Sequence, residues 1–287
     1  MMEKQVSVVI GSYNRKEFLK RAISSARREV KDTTHEIIVI DGGSTDGSIR
    51  WLAKQKDVLT IVQHNRGRWQ GKPVDSRSWG YFMNLGFKCA GGKYVLMISD
   101  DCLLVPNAVR NGIRKFEELL AKGLKIGGIA FYWRNWPEQT SYWVGLTLGD
   151  MMFVNHGLFL RAALEDVGWA EEEIYHFYHA DGDLCLKLWA AGYEIVESSG
   201  SFVEHFSHAN IDVRQSNIEK QQHDWQTYLT RWEGVFYDPE KNNVGGWKTL
   251  PYSDPNNTVA LFPQIHHPWS TIRRRLSSLL PSNLFSR

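Results

Sequence analysis

The feature that most constrains this chain is an alternation in its first hundred residues. Short apolar, β-rich runs that end in polar or acidic residues are separated by amphipathic stretches. Val6–Ile10, Glu36–Asp41, Val58–Gln63 and Lys93–Ser99 read as strands. Arg15–Arg28, Asp46–Gln55 and Ser76–Cys89 read as helices; Phe18, Leu19, Ala22, Ile23 and Ala26 fall on one face of the first. Strands with continuous apolar character, joined by helices, predict successive βαβ units and an α/β fold with a mostly parallel central sheet flanked by helices. At 287 residues with 43% hydrophobic content, the chain can bury a large core.

Further along, Pro106 predicts a helix through Leu120, with proline at the first helical position. Ile126–Trp133 reads as a strand, and a Trp-, Pro- and Gly-rich stretch to about Gly149 reads as a lid or acceptor wall. Leu158–Val167 and Asp183–Ala191 read as helices and Tyr193–Glu197 as a strand. The pattern weakens near Ala209. A boundary there separates residues 1–208, with a donor-binding half to about 105 and an acceptor-binding half from about 106, from a C-terminal helical and irregular extension, 209–287. A helix is expected around Ile218–Trp232.

Charge and cysteine usage narrow the function classes. Lys+Arg 34 against Asp+Glu 32 gives a formal charge of +2, which offers no basis for a nucleic-acid partner. Cys89, Cys102 and Cys185 form neither a C-x-x-C pair nor a disulfide framework, which suits a reducing cytoplasm. No segment approaches the length of a membrane span. After Asp254 there is no acidic residue, and Trp269, Ile272, Leu276, Leu279 and Leu280 recur near helical spacing with Arg273–Arg275 interleaved. Residues 268–287 thus read as a basic amphipathic segment. It suits either the cytoplasmic face of an anionic membrane or packing on protein, a second copy included.

In an open parallel sheet, ligands bind at the carboxyl ends of strands. The polar residues there are Gly11–Arg15, Asn65–Trp69, Asp41–Gly47 and Ser99–Cys102. Asp41 suits a base or ribose contact, or a cap; Asp46, just before a helix, is the better cap. Asp100 and Asp101 would repel unless a cation intervenes, and their hard oxygens suit Mg²⁺ or Mn²⁺; a solvated turn is the alternative. Asp181 and Asp183 form a second pair before a helix. One could remove a proton while the other orients it, or Asp183 could cap the helix with Asp181 in solvent; Asp181, further from the expected helix start, is the freer candidate for a base. His205 and His208 could add an imidazole to a metal. Cys102 has no cysteine partner and reads as packing.

Taken in order, three segments resemble the inverting family 2 glycosyltransferases of the GT-A fold. They are Val6–Arg15, Ile37–Ser48 (IIVIDGGSTDGS) and Met83–Tyr94; with the Asp181 region, the resemblance covers roughly residues 6–206. It implies a nucleotide-sugar donor, UDP-linked by default. Ser12, Tyr13, Asn14, Arg15, Asp41, Asn65, Asn84 and Asp100 would lie at the nucleotide, and Asp101 and His205 at Mn²⁺ or Mg²⁺. Ser99 stands where the family's D-x-D motif begins, which leaves Asp101 as chief metal ligand. Asp181 matches the general base, with Ala180 replacing the usual glutamate, and Lys187 stands where the family often has Arg. A glycan or lipid-linked glycan acceptor is expected. Trp133, Trp136, Tyr142, Trp143 and His179 are its candidate platform. The competing readings are a sugar-phosphate nucleotidyltransferase, for which Gly11–Arg15 is a poor phosphate loop, and a non-catalytic sugar-binding module.

Overall fold

A computed structural model describes residues 4–136, 138–206, 211–241 and 248–253. In chain order the strands are β1 (Val6–Ser12), β2 (His35–Asp41), β3 (Val58–Val62), β4 (Arg68–Trp69), β5 (Lys72–Pro73), β6 (Tyr94–Ser99), β7 (Cys102–Leu104), β8 (Ile126–Asn135), β9 (Trp143–Leu146), β10 (Gly157–Leu160), β11 (Glu194–His205) and β12 (Lys248–Pro251). The helices are α1 (Lys16–Val30), α2 (Ser48–Leu52), α3 (Trp79–Cys89), α4 (Ala108–Ala121), α5 (Arg161–Asp166), α6 (Ala180–Ala190) and α7 (Ile211–Trp232).

The main sheet runs β12-β9-β8-β10-β6-β1-β2-β3, with β11 pairing both β8 and β7. Its amino-terminal half is parallel throughout: β3 on β2, β2 on β1 and β1 on β6. Beyond β6, the strand β10 runs antiparallel to both neighbours, and β11 is parallel to β8. β1 to β2 to β3 builds outward on one side and β6 joins on the other, so the strand order reverses beside β1. That reversal opens a crevice at the carboxyl ends of β1 and β6, the place where an open α/β sheet takes a ligand.

Helices cover the sheet as the apolar spacing predicts. α1 buries Leu19, Ala22, Ile23 and Ala26, and β1 buries Val6, Val8, Val9 and Ile10 completely. α3 lies very close to the sheet because of Gly86: a Cβ there would stand 2.6 Å from side-chain atoms of both Ile40 and Val9. Asp46 does cap, and it caps twice. It accepts from Ser48 N at α2 and from Lys16 N at α1, both within 3.0 Å.

Four expectations are corrected. The stretch from Leu158 is a strand before it is a helix: β10 is buried between β6 and β8, and a short apolar run does not reveal its period. Pro106 precedes rather than opens α4, which starts at Ala108 after a left-handed Asn107; Glu29 of α1 accepts the Asn107 and Val109 N–H groups. α6 begins at Ala180, so Asp181 and Asp183 both lie in its first turn, where the helix dipole favours carboxylates. Finally, the chain does not change character near 209. α7 and β12 belong to the same compact unit, Met1–Tyr252, and Tyr228, Leu229 and Trp232 pack with Leu148, Tyr175, Ala180 and Leu186.

Cys89, Cys102 and Cys185 are unpaired. Among the described residues, no helix is long and apolar enough to cross a membrane. His208 and the basic segment 268–287 lie outside the described residues.

Candidate active site

At the reversal beside β1 lies a cavity lined by Ser12, Tyr13 and Arg15 from the end of β1, Gly42 after β2, Ser99 and Asp100 after β6, and Asp181 from α6. Asn65, Arg66 and Arg77 contribute from the segment between β3 and α3, His176 and Phe177 from the loop before α6, and Lys220 from α7. Three of its cations, Arg66, Arg77 and Lys220, were not named from the sequence.

Arg15 is the electrostatic hinge of the acidic side. Its Nη1 donates to Asp100 Oδ1 at 2.9 Å and to Asp101 Oδ2 at 2.8 Å, so one guanidinium nitrogen spans both carboxylates. Both aspartates are buried. Burial pushes the Asp100 carboxyl above the usual range, with Asp101 adding to the shift and Arg15 opposing it. For Asp101 burial acts in the same upward direction, but His205 and Arg15 outweigh it and hold its carboxyl low. Asp101 therefore remains an anion.

The other oxygen of Asp101 faces a histidine. His205 Nε2 is 3.6 Å from Asp101 Oδ1, and His205 Nδ1–H donates to Asn135 Oδ1 at 2.8 Å. With its far nitrogen pinned in this way, the ring is held with Nε2 toward Asp101, the kind of second contact that orients metal-binding histidines. Antiparallel pairing of β11 with β7 sets His205 opposite Cys102, which explains how a residue so distant in sequence meets Asp101. Cys102 completes a cluster with Asp101 and His205 whose ligand atoms lie within 4.8 Å of one another. Its thiol is buried and its pKa is pushed well up by burial and by Asp101, consistent with packing. The sequence reading also missed His156, buried 3.5 Å from Cys102 Sγ; burial lowers its pKa to about 3, so it is a neutral imidazole.

The two carboxylates near α6 separate clearly. Asp183 is fully buried, accepts from Tyr175 Oη at 3.0 Å and Trp232 Nε1 at 2.9 Å, and forms an ion pair with Arg231 Nε at 2.9 Å. It ties α6 to α7. Asp181 lines the cavity, and its carboxylate accepts from Gly182 N at 2.9 Å. Burial raises its pKa. The preceding loop is fixed from α7 as well: buried Asp224 accepts from the N–H groups of His176, Phe177 and Tyr178 at 2.8–2.9 Å.

Other candidates sit at varying remove. Asp41 is buried; its Oδ1 accepts from Gly43 N and Ser44 N and shapes the loop, while Oδ2 has no hydrogen-bond partner among the described residues. Asn14, left-handed at φ 51°, accepts from Thr45 N and braces that loop. Asn65 closes the next loop by bonding the backbone of Arg77. Asn84 lies in α3, bonded to Ala170 and Glu172 and off the cavity wall. Lys187 bonds Trp169 O and braces α6. The aromatic acceptor candidates Trp133, Trp136, Tyr142 and Trp143 are not among the residues that line the cavity. Trp133 packs on Trp143 at 3.7 Å and against His205 and His156, Trp136 packs on Phe206, and Tyr142 joins the buried Arg134–Glu204 pair. His179 stacks on Tyr228 of α7, and burial lowers its pKa to about 4. The expected acceptor wall is thus packing around His205 and under α7.

Comparison with known proteins agrees with this geometry. Residues 7–145 match the model of the glycosyl transferase family 2. The chain is 30% identical over 115 residues to an uncharacterized glycosyltransferase of Nostoc sp., spanning 39% of this chain and 33% of that protein. It is 29% identical over 111 residues to the poly(ribitol-phosphate) beta-N-acetylglucosaminyltransferase TarP of Staphylococcus aureus, spanning 38% and 32%. It therefore covers about a third of the length of these relatives. In fold it is similar to S. aureus TarS 1-349, with a TM-score of 0.55 at 14% identity over 78% of this chain and 69% of that one. It is likewise similar to the mannosyltransferase PcManGT of Pyrobaculum calidifontis, solved with GDP-Man and Mn²⁺, with a TM-score of 0.55 at 15% identity over 80% and 64%.

Proposed function

We infer that the chain is a family 2 glycosyltransferase that moves a sugar from a nucleotide-diphosphate donor to a hydroxyl of a glycan or lipid-linked glycan acceptor, with inversion at the anomeric carbon; the family match and the cavity support this reading. One observation carries this reading: a single cavity at the strand-order reversal holds Asp100, beside the Asp101–His205 pair, and the separately placed Asp181.

Asp101 and His205 fit a divalent cation. An anionic oxygen and an imidazole nitrogen face each other at 3.6 Å, and the imidazole is held from behind by Asn135. Mn²⁺ or Mg²⁺ would be held there, supplying Lewis-acid stabilisation of a departing diphosphate. PcManGT, of the same fold, was solved with Mn²⁺ and a nucleotide sugar. Arg15 keeps Asp100 and Asp101 in place and sets a fixed positive charge beside the leaving group, a preorganised form of charge stabilisation. Arg66, Arg77 and Lys220 add positive potential toward the same anion. Ser12, Tyr13, Gly42 and Asn65 form the nucleotide end, on a loop shaped by Asp41.

Asp181 is the general base. Lifted above the usual carboxylate range, it accepts a proton more readily than a solvated aspartate would. As the acceptor oxygen attacks the anomeric carbon, its proton passes to Asp181, the bond from that carbon to the diphosphate oxygen breaks, and the bonding pair leaves with the diphosphate. Segment 268–287 is assigned a peripheral membrane contact; deleting it should lower co-sedimentation with anionic liposomes.

The test is release of nucleotide diphosphate from UDP- and GDP-sugars with Mn²⁺ and with chelator. Release should require metal, and Asp101→Ala should abolish metal-dependent nucleotide affinity in calorimetry. Asp181→Asn should keep donor binding and lose about 10²-fold or more in transfer. Full turnover by Asp181→Asn would remove it from the mechanism.

A further inference from the structure

Away from Asp101, a second group of metal-ligating side chains lies where α7 meets the loop before α6. His176 from the cavity wall and His223 and Asp224 from α7 each offer a ligand atom, all within 4.8 Å of one another. The two imidazole rings are 4.8 Å apart between centroids, and His223 Nδ1 is 3.3 Å from Asp224 Oδ1. Tetrahedral coordination with bonds of about 2.0–2.1 Å places ligand atoms about 3.3 Å from each other. The His223–Asp224 edge already has that length. Only His176 must close in, by at most about 1.5 Å, and its side chain is exposed, so a rotamer change suffices.

Asp224 is a fixed anchor for such a site. It is fully buried, and its Oδ1 lies 3.3 Å from the exposed His223. Its Oδ1 accepts one backbone N–H and meets His223 Nδ1, and its Oδ2 accepts two backbone N–H groups; an ion would take the place of the proton between Oδ1 and His223 Nδ1. Two imidazoles and one carboxylate form a nitrogen-rich donor set that favours zinc-class ions over the Mg²⁺ or Mn²⁺ suited to oxygen ligands.

We propose that His176, His223 and Asp224 form a second metal site, of zinc class, which ties the cavity wall to α7. The wall in question carries His176 and Phe177 and leads directly to Asp181. An ion there would staple two elements otherwise joined by the Asp224 hydrogen bonds. It would narrow the cavity mouth and slow turnover, acting as an inhibitory site rather than a catalytic one.

The test is titration of the full-length protein with Zn²⁺ alone, followed by calorimetry and by thermal unfolding. His205→Ala removes the imidazole near Asp101 and should retain a zinc-binding event. His223→Ala should weaken that event at least tenfold and abolish the accompanying rise in melting temperature. His223 is well exposed, so its replacement should leave the metal-free melting temperature unchanged, which separates lost ligation from misfolding. Co²⁺ offers a second readout: His205→Ala should show visible d–d bands of tetrahedral nitrogen and oxygen ligation, and His205→Ala/His223→Ala should not. Identical zinc isotherms for wild type and His223→Ala, or loss of all zinc binding in His205→Ala, would overturn the site. Either result leaves the assignment of Asp181 untouched.

Discussion

Asp181 and Asp183 are two residues apart and chemically identical, yet their replacement should move stability in different directions. Asp183 is fully buried, receives hydrogen bonds from Tyr175 and Trp232, and is paired with Arg231. Removing one partner of a buried pair costs about 3–5 kcal/mol. Arg231 is partly exposed and recovers some hydration, so Asp183→Ala should fall at the low end, about 3 kcal/mol. For a unit of this size that corresponds to a melting temperature lower by about 6–12 °C. Asp181 is held by backbone N–H, that of its neighbour Gly182 included, and burial disfavours its charge. Its folded pKa is raised, so the native state holds a proton that the unfolded state has released across the window between the two values. Stability therefore falls as pH rises through that window, and the cost persists above it. Asp181→Asn removes the charge, so at neutral pH it should be as stable as wild type or more so. The difference should vanish once the pH is below the unfolded carboxylate value. Thermal and urea unfolding at neutral and acidic pH measure both variants, with nucleotide-sugar turnover on the same samples. If Asp183→Ala melts with wild type, or Asp181→Asn is destabilised as much as Asp183→Ala, the division of roles fails.

Three further outcomes follow from the same geometry. Asn135→Ala frees the ring that Asn135 orients, and loss of such a partner lowers metal affinity about 10–100-fold; a Mn²⁺ titration followed by electron paramagnetic resonance measures it, and unchanged affinity would count against His205 as ligand. The kcat/KM profile should rise with pH through a limb above the ordinary aspartate range, because Asp181 must be ionised to accept a proton. The residual activity of Asp181→Asn should lack that limb. Gly80→Ala places a Cβ 1.8 Å from the carbonyl oxygen of Glu171, rigid backbone that has to separate. Overpacking of this kind costs about 1–3 kcal/mol or more, readable as a lower denaturant midpoint.

The amino-terminal half was legible because parallel strands buried on both faces are written as continuous apolar runs. Polar residues at their ends then fall at the ligand edge, as Ser12, Asp41 and Asp100 do. β10 was misread because a four-residue strand in the middle of the sheet carries no period, and its neighbour α5 does. His156 left no trace in the sequence; it reaches the Asp101 cluster only through the pairing of β10 with β6 and β8. Arg66 lay inside a segment already suspected, Asn65–Trp69. Arg77 and Lys220 come to the same cavity from the far end of a loop and from a helix beyond the expected boundary. The aromatic candidates failed for the opposite reason: tryptophan and tyrosine serve packing and sugar binding equally well, and here Trp133 and Trp143 pack.

The expected boundary near residue 208 carries the largest functional consequence. α7 does three things for the site: Asp224 fixes the loop 176–178, Arg231 and Trp232 hold Asp183, and Tyr228 bonds Thr147. Each contact bears on the segment that presents Asp181. Ending the chain at 208 would also strip Tyr228, Leu229 and Trp232 from Leu148, Tyr175, Ala180 and Leu186. Exposed apolar patches of that kind promote association. A chain ended at 208 should therefore aggregate or lose transfer entirely, although it retains every strand-end residue of the nucleotide side. A chain ended at 252 should remain folded and bind nucleotide. If the 208-residue form is monomeric by light scattering and turns over donor at the full-length rate, α7 is dispensable and the role assigned to it is wrong.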